Sequence, residues 1–105
     1  MTDSQRILTP ADIHEAGLAD WAAQDATLVA RFATGDFATG LELVNRIGAS
    51  AEDANHHPDL TLTYPEVAVT LTSHDVGGVT SRDIDLAQLI SGHAADLGVD
   101  AASGE

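Results

Sequence analysis

The stretch Leu60-Thr61-Leu62-Thr63-Tyr64-Pro65-Glu66-Val67-Ala68-Val69-Thr70-Leu71-Thr72-Ser73 decides the fold of this chain. Apolar and polar residues alternate with period two on both sides of Pro65-Glu66, which marks two half-buried strands around a tight turn. Pairing Tyr64 with Val67 sets Leu62 opposite Val69 and Leu60 opposite Leu71, so one face is wholly apolar. Thr63 with Ala68 and Thr61 with Thr70 fill the other face. A one-residue slip would mix the two faces, so this register is expected, with Tyr64 in the core.

Upstream, the spacing changes to a helical one from Asp36 to about Asn55. Phe37, Leu41, Val44, Ile47 and Ala51 recur at steps of three and four and are expected to face the core. Gly40 and Gly48 each cost about 1 kcal/mol of helix propensity relative to alanine and would allow close packing. Pro58 stops the helix and pushes His57 toward an extended conformation. Earlier still, Leu28, Ala30 and Phe32 alternate with Val29, Arg31 and Ala33 in a strand over Ala26–Thr34. A weaker strand over Asp20–Ala23 pairs with it through a turn near Gln24-Asp25, and Trp21 serves as core or pocket wall. Thr9-Pro10-Ala11-Asp12 opens a short helix that ends near Gly17, with threonine at the N-cap, proline at N1 and an acid at N3.

Downstream, Gly77-Gly78 makes a loop. Thr80 then caps a last helix with Asp83 at N3, and Ile84, Ala87, Ile90, Ala94 and Leu97 form its apolar stripe. Residues 1–8 and 98–105 read as loose ends. The order is helix, two strands, helix, two strands, helix. It predicts a single α+β domain over residues 1–105, a four-stranded antiparallel sheet with three helices packed on one face.

Three of the five histidines fall at the ends of this hairpin. Extending its register past Leu60 and Leu71 sets His57 opposite His74, and His56 lies one step away where the long helix ends. Imidazoles titrate near neutrality, so such a cluster can both give and take protons. Metal binding is the weaker reading, because adjacent residues of an extended chain point to opposite faces and no His-x3-His pair supports them. Plain surface histidine remains open on these residues alone, and His14 and His93 are read that way.

The series Glu52, His56-His57-Pro58, Tyr64, Ser73-His74-Asp75 and Thr80-Ser81-Arg82-Asp83 resembles the signature of the pterin-4a-carbinolamine dehydratases. Its gaps here are three, five, nine and eight residues. The similarity extends over residues 7–97, including Leu18–Trp21 and Phe32–Phe37, although Leu-Ala-Asp-Trp replaces the commoner Gly-Trp. The resemblance implies dehydration of a 4a-hydroxytetrahydropterin to a quinonoid dihydropterin without metal or organic cofactor. It implies His56 and His74 as the acid–base pair, with His57 in the catalytic trio mainly holding substrate. Glu52 and Asp83 would orient imidazoles or bind the amino and amide edge of the pterin. Asp83 also has a structural role open to it as a helix cap, whereas Glu52 lies near a helix C-terminus, a position the dipole disfavours and which points toward function. For all three histidines to share one pocket, the strand must break or twist near Pro58. The resemblance carries a second implication, a non-catalytic protein-binding or assembly module on the same fold. Either way a homodimer or homotetramer is implied.

Composition narrows the rest. There is no cysteine, so disulfides and cysteine-based zinc sites are excluded. No apolar run has the length of a membrane span and the first residues do not resemble a signal peptide, so a cytoplasmic location is expected. Seventeen acidic residues face four arginines and no lysine, a net charge of −13. That charge argues against nucleic acid as a partner, which needs a positive footprint. It fits adaptation to high salt, with ordinary acidic drift as the alternative, because salt screens the self-repulsion of such a chain. A melting series in potassium chloride checks this: the midpoint is expected to rise steadily toward molar salt, and a flat series would remove the adaptation.

Overall fold

The computed structural model describes residues 5–102. It has the element order α1 (Pro10–Glu15), β1 (Ala22–Gln24), β2 (Thr27–Ala33), α2 (Phe37–Ala54), β3 (Asp59–Leu62), β4 (Glu66–Leu71), α3 (Ser81–Asp96) and β5 (Asp100–Ala101). The protein is α+β, three helices with an antiparallel sheet in the order β1-β2-β4-β3. A fifth strand replaces part of the expected loose tail. Gly98 turns the chain with φ +72°, Val99 enters the core, and Ala101 pairs with Phe32. Val99 is the one sizeable apolar side chain among the small residues there, and its burial pulls the backbone onto β2. At the other end, Leu8 packs on the core and its N–H donates to the Val79 carbonyl at 2.8 Å. The expected loose residues 1–4 and 103–105 lie outside the described residues.

The central hairpin has the expected faces but a different register. Leu62 pairs with Val67 and Leu60 with Val69, a shift of two residues. Because the shift is even, Leu60, Leu62, Val67, Val69 and Leu71 still share the inner face. The turn is centred on Tyr64-Pro65, where proline needs no ladder hydrogen bond, and the Thr63 N–H donates to the Glu66 carbonyl. Tyr64 is therefore at the hairpin tip, 67% exposed, and not in the core.

The core lies between the inner sheet face and the two long helices. Leu28, Phe32, Val67 and Leu71 meet Leu43, Ile47, Leu86 and Ile90, all almost fully buried. Trp21 closes one end, edge-on to Phe32 with ring centroids 6.2 Å apart, and its Nε1–H donates to Ser91 Oγ at 3.0 Å. On α2 the buried stripe is Gly40, Leu43, Ile47 and Ala51, whereas Phe37 and Leu41 face out. The reason is Gly40, where a Cβ would come within 2.6 Å of Leu62 Cδ1. The glycine brings the start of the helix close to the sheet on its own face and rotates Phe37 and Leu41 away. Gly48 has open space around it and makes no such approach.

This assignment separates two leucines of the same helix. Leu43→Ala is expected to cost about 2–5 kcal/mol in urea unfolding, the usual range for a buried leucine. Leu41→Ala should stay within about 0.5 kcal/mol as a surface change. Reversed effects would restore the stripe expected from sequence.

Candidate functional site

The histidines are set by how α2 ends. Asn55 takes the left-handed conformation at φ +51°, and the His56 N–H donates back to the Ala51 carbonyl at 3.1 Å. This closure reverses the chain and fixes the His56 backbone at the helix end. Pro58 follows, and β3 begins one residue later at Asp59. The strand therefore does break at Pro58, and the two adjacent histidines part company.

His56 turns inward. Its residue is 9% exposed, and Nε2 lies 2.5 Å from Oδ1 of the fully buried Asp83. The other carboxylate oxygen, Oδ2, accepts from the Thr80 N–H at 2.9 Å and from Ser73 Oγ at 2.8 Å. Asp83 is thus both the N3 member of the α3 capping box and the partner of His56. The two roles that sequence offered for it coexist.

His57 stays outside. Its Nε2 lies 2.7 Å from Glu52 Oε2, one turn back on α2, and both side chains are more than half exposed. The imidazole holds a carboxylate that the helix C-terminus would otherwise repel.

His74 is exposed in the turn between β4 and α3, and its ring makes no hydrogen bond or ion pair among the described residues. It does not face His57. The observed register, with Asp59 against Thr70, would carry His57 to Thr72, and both strands end before that point. What links His74 to the others is its neighbour Ser73, bonded to Asp83. The turn is tight: the Ser73 carbonyl accepts from Gly77 N–H at 2.9 Å, and Ser73 N–H donates to the Gly78 carbonyl at 2.9 Å. Arg82 pins it from α3, donating to Asp75 Oδ1 at 2.9 Å, and this hydrogen bond holds the Asp75 carboxyl below its usual range.

Sequence reasoning missed Ser73 as part of this cluster, yet the signal was there. Counting by two from Val67 through Val69 and Leu71 puts Ser73 on the buried face, where a hydroxyl must find a partner. It also misread His93, whose Nε2 lies 2.7 Å from Ser50 Oγ and ties α3 to α2. A recess of about 790 Å³ opens on the outer sheet face beside Trp21, Val29 and Thr70, and none of the three motif histidines lines it. Among the described residues no group of three or more His, Asp or Glu is gathered for a metal.

The family model for pterin 4 alpha carbinolamine dehydratase matches residues 6–93. The chain belongs to this family. A relative from Thermosynechococcus vestitus is 46% identical over 86 residues, which cover 80% of this chain and 90% of its own length. One from Nostoc punctiforme is 40% identical over 88 residues, covering 82% and 95%. Both bear the name pterin-4-alpha-carbinolamine dehydratase, provisionally in each case. The crystal structure of a Brucella melitensis protein described as a transcriptional coactivator/pterin dehydratase superposes with a TM-score of 0.80 at 31% identity, covering 85% of this chain and 99% of that one. Within this dehydratase family the present chain keeps a compact helix-and-sheet unit, and none of its described helices is long and apolar enough to cross a membrane.

Proposed function

We propose that the protein dehydrates a 4a-hydroxytetrahydropterin to the quinonoid dihydropterin, with its histidines as general acid and base. The observation that carries this reading is the pairing of His56, the first residue of the His-His-Pro stretch, with the buried Asp83 of α3 in a chain of this family. Such a pairing orients an imidazole and holds it ready for proton exchange, which is the work the reaction asks for. The 4a-hydroxyl must gain a proton to leave as water. A ring N–H must lose one so that its electron pair forms the C=N bond. The net proton count is unchanged, so two groups exchanging protons with substrate suffice and no cofactor is called for.

In this reading His56, anchored on Asp83, and His74, exposed on its turn, exchange protons with the pterin. His57, tethered to Glu52, holds the substrate at the open rim. Asp83 acts through His56. The exposed Phe37 and Tyr64 suit burial between copies of so small a domain, and we assign a homodimer or homotetramer acting in the cytoplasm. A second reading, a protein-binding module, draws on the coactivator half of the Brucella protein's description. The filled histidine motif favours the enzyme.

The test is an assay with chemically generated 4a-hydroxytetrahydropterin at high salt. The wild type should exceed the uncatalysed rate, and His56→Ala and His74→Ala should each lose about 10²–10⁴-fold. A wild type no faster than the uncatalysed reaction would end the enzyme reading. Full activity in both variants would instead overturn the residue assignment.

A further inference from the structure

We infer that Ser73 and Thr80 are positioning residues that fix the tautomer of His56, leaving Nδ1 as the ring atom that exchanges protons. The inference rests on the dehydratase reading for its kinetic consequence and on hydrogen-bond accounting for its structural part.

The accounting starts at Asp83. Its carboxylate has no solvent exposure and sits at the start of α3, where the helix N-terminus and three polar partners stabilise negative charge. An ionised carboxylate only accepts hydrogen bonds. Ser73 Oγ donates to Oδ2, which spends its single hydroxyl hydrogen. Ser73 Oγ and Thr80 Oγ1 are 2.8 Å apart, so the proton between them must come from Thr80. Thr80 Oγ1 is in turn an acceptor for the Arg82 N–H. The chain therefore runs one way only, from the helix backbone through Thr80 and Ser73 to Oδ2. Ser73, Thr80 and Asp83 are all wholly buried, so water cannot substitute for a missing member.

With Oδ2 filled by Ser73 and the Thr80 N–H, Oδ1 is the oxygen turned to His56, 2.5 Å from Nε2. Because that oxygen can only accept, Nε2 must carry the hydrogen. In the neutral ring the lone pair is then on Nδ1, and Nε2 is already engaged with protein. Any proton that His56 trades with a substrate passes through Nδ1. Without the Ser73 hydroxyl, or without the Thr80 hydroxyl that orients it, Oδ2 loses part of its hold and the carboxylate can turn away from Nε2, which leaves the ring free to adopt either tautomer without touching the substrate.

The experiment combines ¹⁵N-histidine spectra at a pH where the ring is neutral with steady-state kinetics. The variants are Ser73→Ala, Thr80→Ser and Thr80→Val. Wild type and Thr80→Ser are expected to show the Nε2–H form of His56 and equal kcat. Ser73→Ala and Thr80→Val should show mixed tautomers and a kcat lower by about tenfold, with KM changed less than about twofold. Should Ser73→Ala not fold, Thr80→Val carries the same comparison. A wild-type ring protonated on Nδ1 overturns the inference, as does a folded Ser73→Ala or Thr80→Val with unchanged tautomer and kcat. The expected spectra in a protein without dehydratase activity would support the positioning and refute the reaction, so the two failures are distinguishable.

Discussion

The Asp83 carboxylate lies where three parts of the chain meet: the end of α2 at His56, the turn after β4 at Ser73, and the start of α3 at Thr80. Burying a charge with no solvent contact costs several kcal/mol unless its lone pairs are met, and leaving it with one partner removed costs about 3–5 kcal/mol. The chain can enclose this group only by bringing all three segments to it. Fold and candidate site are thus held by the same atoms. The cap that begins α3 also orients His56, and the hydroxyl that completes the carboxylate's shell begins the turn bearing His74.

The surface obeys a different constraint. All four arginines are ion-paired, to Asp12, Glu66, Glu42 and Asp75, and each pair is exposed. The chain carries seventeen acids against these four cations, so negative charge predominates over what the arginines can pair. Backbone and side-chain hydrogen bonds from Thr9 hold the Asp12 carboxyl below its usual range, and the Arg31 guanidinium does the same for Glu66. Carboxyls lowered in this way contribute stability above their ordinary pKa and lose it as pH falls through the lowered folded value. Acid weakens these ties at the same time as it relieves the repulsion, whereas salt acts on repulsion and pairs alike.

Much of this was legible in the residues, and what was not has physical reasons. The capping boxes at Thr9 and Thr80 are local, and both form as the sequence implies. Period-two alternation fixes which side of the hairpin is buried but not which residues pair, since a shift of two leaves every side chain on its own face. That shift moved Tyr64 to solvent and removed the pairing of His57 with His74. The α2 stripe was ambiguous because the helix carries apolar residues on more than one face, and only the approach of Gly40 to Leu62 chooses between them. β5 could not be seen because a two-residue strand depends on Val99 being buried. At the site, the motif named Glu52, His56, His57, His74 and Asp83, but their division into a buried pair and an exposed pair comes from the tight closure at Asn55. Ser73 was missed as a site residue because a serine at a buried position breaks the apolar alternation that marks the inner face.

The claim that one buried carboxylate joins fold and site is tested most directly by a double-mutant cycle. Unfolding free energies would be measured for the wild type, His56→Ala, Asp83→Asn and the double variant. A coupling of about 1.5–3 kcal/mol, the range for a hydrogen bond to a charged group, is the predicted result. Additivity within about 0.5 kcal/mol, as for independent sites, would contradict the account.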